Sequence, residues 1–196
     1  MNCTATRIDC RSITFFFLCL LSLGGCALSP QTISINPDID VQGNVGQSQT
    51  IQVDVVDKRN SPVLGQRGGV YEDTSNIMTS DNMTTTLRKS LVRALQKQGY
   101  SVAERDADTH LTVEVNSMTY NAYKEKLLYK IEIGMAVRSI VNKNSKEFTG
   151  DYKTSRKKDY VKLPGVEENE KLVNESLAGV LKSMLSDDDL INFIRE

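Results

Sequence analysis

The chain has 196 residues, with 24 basic and 25 acidic side chains, a net charge of −1 at pH 7 and 39% hydrophobic residues. That length suits one domain, or one domain plus a tether. The even charge balance argues against a nucleic-acid surface, which would be basic, and offers no broad attraction to anionic membranes.

Arg7 and Arg11, with one acid, Asp9, open the chain. The apolar run ITFFFLCLLSL, residues 13 to 23, follows. It is too short for a bilayer that needs about 20 residues, but it has the length of a signal-peptide core behind a positive region. The run closes on Leu23-Gly24-Gly25-Cys26, which resembles the lipobox of bacterial lipoproteins. Small residues at 24 and 25 let the chain lie extended in a protease cleft. The Cys26 thiol is the nucleophile that takes a diacylglyceryl group, and cleavage before Cys26 with N-acylation follows from that resemblance. The predicted organisation is a signal peptide over 1–25, a lipidated N-terminus and tether over 26–49, and a periplasmic α+β domain over 50–196. Cys3, Cys10 and Cys19 leave with the leader, so the domain has no disulfide to form. One acyl chain binds marginally, whereas two or more hold stably. Ala27 and Leu28 follow the cysteine. In enteric-type lipoproteins an Asp there favours retention in the inner membrane, so the resemblance implies the outer membrane, with the domain facing the periplasm.

Residues 27 to 49 hold two prolines, two glycines and many small polar residues, the composition of a tether. As a flexible coil they would span about 25–30 Å. TISINPDIDV within them has a second placement, extended along the domain edge through Ile33, Ile35 and Ile39. TIQVDVVD, residues 50 to 57, alternates apolar and polar as a half-buried strand does. A long loop over 58–79 follows, and loops of that length are often functional. A helix is expected next, capped by Ser80 or Asp81, with Met83, Leu87, Leu91, Ala94 and Leu95 on one face. Gly99 suits the left-handed position that ends it. Three more strands follow: THLTVEVNSMTY, then LLYKIEIGMAVRSIVN, then KEFTGDYKTSRKKDY, each with one apolar and one polar face. A second helix covers about 167 to 185, and DDDLINFIRE adds a short last turn. The expected fold is a two-layer α+β sandwich, a mainly antiparallel four-stranded sheet with two helices on one face, in the order β-α-β-β-β-α.

The lipobox LGGC, the INPDI segment, the strand ending VDKR, the helix LRKSLVRALQKQGYSV and the closing DDDLINFIRE together resemble the YajG family of proteobacterial lipoproteins. The resemblance covers nearly the whole chain. It implies lipidation at Cys26, an outer-membrane address and an α+β domain, and supplies no catalytic residues.

The residues themselves offer little chemistry. His110 is the single histidine, read as a partly exposed strand residue. A structural zinc site needs four N or S ligands. Gly65-Gln66-Arg67-Gly68-Gly69 lacks the Lys and Ser/Thr of a phosphate loop, so no nucleotide is expected. Asp187-Asp188-Asp189 fits a helix N-terminus better than a calcium loop. Arg156-Lys157-Lys158 reads as a solvated strand end. No catalytic set assembles, and no cofactor or metal is expected. The first expectation is a non-enzymatic, outer-membrane-anchored lipoprotein, held by acyl chains on Cys26, that binds an envelope protein through the long loop at Arg59, Val63, Arg67 and Tyr71. The alternative is a ligand module for peptidoglycan, lipid or lipopolysaccharide, using Lys130, Glu132, Arg138 and Lys153 on the polar sheet face.

Overall fold

The computed structural model describes residues 29–68 and 73–196. The leader, Cys26 and Tyr71 lie outside them. The strands are β1 (Gln31–Ile33), β2 (Thr50–Asp57), β3 (Val63–Gln66), β4 (Asn76–Thr79), β5 (Ser101–Ala103), β6 (Thr109–Glu125), β7 (Leu128–Lys143) and β8 (Lys146–Tyr160). The helices are α1 (Met83–Lys97), α2 (Val166–Leu185) and α3 (Asp188–Arg195), with a 3-10 turn at Asp73–Ser75.

The strands form one eight-stranded mixed sheet. This corrects the expectation of a mainly antiparallel four-stranded sheet with two helices. Four of the seven strand pairings are parallel: β1 with β4, β2 with β5, β2 with β6, and β3 with β6. Alternation of apolar and polar residues reports which face is wet. It does not report strand direction, because any strand with one solvated face alternates in the same way. Strands of three or four residues are also too short to show a period, so β1, β3, β4 and β5 read as loop or tether.

Strand β6 organises the sheet. Along one edge it pairs with β7 from Thr109↔Lys143 to Glu125↔Leu128. Its other edge is shared. β2 takes the first half, Ile51↔Thr109 to Asp57↔Val115, and β3 the second, Gly65↔Tyr120. A bulge between Val115 and Ser117 lies in the gap between them. It keeps the inward set in phase, so Leu111, Val113 and Val115 are buried before it and Met118 and Tyr120 after it.

The buried face carries Ile51, Val53, Leu111, Val113, Ile131 and Ile133, packed under Leu87, Leu91 and Leu95 of α1 and Leu172, Leu177 and Leu181 of α2. Gly99 ends α1 at φ +86°. The N-cap of α1 is Asn82, with no side-chain cap bond, because Asn82 Oδ1 accepts from Ser80 Oγ at 2.8 Å. The Asp187 side chain does cap α3, accepting from the Asp189 amide.

The N-terminal segment takes the extended placement rather than a free coil. Ile33, Ile35, Ile39 and Val41 are buried. The segment lies between the two long helices: Asn36 Oδ1 accepts from Arg93 of α1, the Asn36 amide donates to Asn174 of α2, and Asp40 pairs with both Lys97 and Lys182. A buried polar chain fixes its start. Tyr120 Oη donates to Asn169 Oδ1 at 2.8 Å, and Asn169 Nδ2 donates to Gln31 Oε1 at 2.7 Å.

Gly65 stands at φ +154°, and a Cβ there would meet the Tyr120 carbonyl oxygen at 1.8 Å. Gly65→Ala is therefore expected to cost about 1–3 kcal/mol and to lower the thermal midpoint, read by circular dichroism. An unchanged midpoint would show that β3 does not need this close approach to β6.

Candidate functional site

Beside the end of β2 lies a cleft of about 380 Å³. It is lined by the chain leaving β2, the end of β4 and the start of α1, including Asn60, Ser61, Thr79, Ser80, Asp81 and Thr84. β2 ends here because its last ladder bond, from the Lys58 amide to the Val115 carbonyl at 3.0 Å, falls at the bulge. Bulges re-aim side chains and end pairing.

Arg59 builds the cleft wall. Its Nε donates to Asp57 Oδ1 and its Nη2 to Asp57 Oδ2, both at 2.8 Å. Nη2 also reaches Thr79 Oγ1 at 3.0 Å and the Met83 sulfur at 3.2 Å. The Arg59 side chain is only 6% exposed, and its Nη1 meets no acceptor among the described residues. Burial pushes the Asp57 carboxyl upward, but the hydrogen bonds and charge of Arg59 outweigh it and hold Asp57 below the ordinary carboxylate value. The fork-to-fork geometry is the strong form of an ion pair. It ties the chain after β2 to β4 and to the first turn of α1.

Of the described candidate loop residues, Arg59, Val63 and Arg67, Arg59 alone lines the cleft. The loop is not a loose surface segment: it forms β3, the 3-10 turn and β4. Val63 opens β3, partly exposed. Arg67 lies past the far end of β3 and is buried. Its Nη2 donates to the Ser29 carbonyl at 2.5 Å, and burial lowers its pKa. Thr79, Asp81, Met83 and Thr84 were not expected at the site. The run Ser80-Asp81-Asn82 before α1 was the available signal, read there as a cap.

The polar sheet face carries the other expected set, with Lys130, Arg138 and Glu132 already paired. Lys130 meets Asp159 at 2.7 Å, Arg138 meets Asp151 at 2.8 Å, and Glu132 meets Lys157 at 2.7 Å. These pairs join cross-strand neighbours of β7 and β8. Between them Ser117, Thr119, Gly134, Lys153 and Ser155 line an open trough of about 450 Å³. His110 Nε2 sits 2.7 Å from Asp54 Oδ2. Among the described residues no group of three His, Cys, Asp or Glu side chains is placed to hold a metal ion. No described helix is long and apolar enough to cross a membrane.

A mixed sheet covered on one face by helices makes this an α+β domain. A family model described as "Uncharacterized lipoprotein" matches residues 37–195, and the chain belongs to that lipoprotein family, in line with its YajG-type motifs. Membership implies anchoring to a membrane. Among solved structures, protein XCC0632 from Xanthomonas campestris is similar at 16% identity and a TM-score of 0.50, over 81% of this chain and 91% of that one. At that identity the likeness is one of fold. The lipoprotein GNA1162 from Neisseria meningitidis matches at 13% identity and a TM-score of 0.35, over 71% of this chain and 99% of that one. A minor lipoprotein from Acinetobacter baumannii matches at 10% identity and a TM-score of 0.36, over 76% and 89%. No curated protein matches the sequence.

The ion pair sets a pH dependence. Asp57 is held below its ordinary value of 3.8, so its contribution is complete above that value and is lost as pH falls through the depressed one. At pH 7, Arg59→Ala is expected to cost about 1.5–3 kcal/mol in urea unfolding. The stability gap between the native protein and Asp57→Asn should narrow as pH drops below 3.8. A gap that stays constant down to pH ~3 would remove Asp57 from the account.

Proposed function

We propose that this protein is an outer-membrane-anchored lipoprotein, held by acyl chains on Cys26 with its domain facing the periplasm. We further propose that the domain is a non-enzymatic interaction module that seats a polar segment of an envelope protein in the Arg59 cleft. The observation behind this is Arg59 itself. Its guanidinium is buried and braced by Asp57, Thr79 and Met83, yet one nitrogen has no acceptor. Leaving a buried charged donor unpaired costs free energy. That nitrogen is shielded from solvent, so a partner carbonyl or carboxylate would recover the loss by displacing part of the cleft wall over it.

The surroundings favour a hydrogen-bonding guest over a highly charged one. Asp57 already balances Arg59, and Asp81 adds a negative charge at the rim. Hydroxyls of Ser61, Thr79, Ser80 and Thr84 and the Asn60 amide offer donors and acceptors around the opening. A peptide backbone has the same mixture.

The test is crosslinking in living cells from a photoreactive residue at Ser61. A discrete protein adduct is expected. Thr84→Lys, which fills the cleft, should reduce it about tenfold, corresponding to about 1.4 kcal/mol. An adduct indifferent to Thr84→Lys would sink the cleft reading. The address has its own check: Cys26→Ser should leave an unprocessed precursor that takes up no palmitate, and normal processing of that variant would defeat the anchor.

The polar trough supports a second reading, a module that binds peptidoglycan, lipid or lipopolysaccharide. Lys153 lines it and makes no ion pair with any described residue. Co-sedimentation with purified sacculi that is lost in Lys153→Glu would favour this reading over the protein partner.

A further inference from the structure

Four of the six large apolar side chains exposed among the described residues lie at one end of the molecule. They are Tyr123, Leu127, Val161 and Val166, with Leu127 84% and Val161 83% exposed. The register brings them together. Leu127 sits in the β6–β7 turn beyond the Glu125↔Leu128 pair. Tyr129↔Tyr160 places the end of β8 beside that turn, so Val161 and Lys162 continue past it in the same direction. Asn169 in the first turns of α2 bonds both Gln31 and the Pro164 carbonyl, which brings the start of α2 and of β1 to the same end.

The chain enters there as well. Arg67 pins the Ser29 carbonyl, and Cys26 is three residues earlier. Three residues reach at most about 10 Å. A lipid on Cys26 therefore cannot stand the domain off its bilayer by more than that distance. The charges at this end fit a phospholipid surface. Lys124, Lys126 and Lys162 are exposed and form no ion pair with described residues. The nearby acids are largely engaged: Glu125 and Asp159 meet Lys130, and Glu168 meets Lys158. Glu167 remains.

We propose that the β6–β7 tip, the turn after β8 and the first turn of α2 form a membrane-docking face, seated in the phospholipid headgroup layer beside the acyl chains of Cys26. Leu127 and Val161 enter the apolar boundary, while Lys124, Lys126 and Lys162 stay with the phosphates. This inference rests on Cys26 carrying the lipid. It goes beyond the anchor by giving the domain one fixed face toward the bilayer.

The chain contains no tryptophan, so single reporters are clean. Full-length lipoprotein carrying Leu127→Trp, Val161→Trp or, as a control, Val56→Trp is reconstituted into vesicles of phosphatidylethanolamine, phosphatidylglycerol and brominated phosphatidylcholine. Val56 pairs opposite Glu114, roughly 35 Å up β6 from the tip. The expected result is flotation of all three variants, with about a twofold loss of emission at 127 and 161 and none at 56. Flotation without quenching at 127 and 161 overturns the docking face and leaves the anchor standing. Failure to float overturns the Cys26 reading and the docking with it. Unquenched emission together with a dimer crosslinked through Lys126 would assign the face to a second copy and equally overturn the proposal.

Discussion

The shared edge of β6 is the constraint on which the rest of the molecule depends. A backbone edge has a fixed set of donors and acceptors, and each must find a partner when buried. β6 spends one edge entirely on β7 and divides the other between β2 and β3. Two strands cannot meet end to end without a break, and the bulge at Val115–Ser117 absorbs it. The cleft lies where the chain leaves β2. Arg59 and Asp57 close its wall because the chain leaving β2 must turn away from the sheet and be tied to something.

The same strand sets the distance between the cleft and the apolar tip. β6 and β7 run as one long hairpin from the cleft to the apolar tip. At about 3.3 Å per residue, the segment from Val115 to Glu125 separates them by roughly 30 Å. A rigid hairpin of this kind would hold the cleft well away from the bilayer while the tip meets it. The N-terminal segment contributes to the geometry by filling the groove between α1 and α2. Its buried isoleucines replace what a free linker would leave in water, and its polar residues bond both helices. Residues 31–41 are therefore packed on the domain and are not a free coil.

Charge is arranged to keep the open sheet face soluble. Long strands with an uncovered face and an exposed edge invite pairing with other chains. Here β8, the outer strand, carries Lys153, Arg156, Lys157 and Lys158, and the charges of β7 are met by cross-strand partners. Such exposed pairs add little stability each. Their value is in discouraging a second sheet edge.

By itself the sequence determined the long elements and their apolar faces, because each is written in local spacing: a period of two or a period of 3.6. Ile51 and Val53, Leu111 to Val115, and Leu87 to Leu95 were legible for that reason. Strand direction was not, since alternation looks the same in parallel and antiparallel pairs. Nor were the short strands β1, β3, β4 and β5, which hold too few residues to show a period and exist only because neighbours complete their hydrogen bonds. Arg67 looked like a loop cation and is a buried clamp on Ser29. Arg59 was singled out, but Thr79, Met83 and Thr84 were not, because they come to Arg59 from across the fold. Only the tertiary structure decided the cleft and the gathering of Leu127, Val161 and Val166 at the chain's entry point, since long-range register, which no local pattern encodes, brings those residues together.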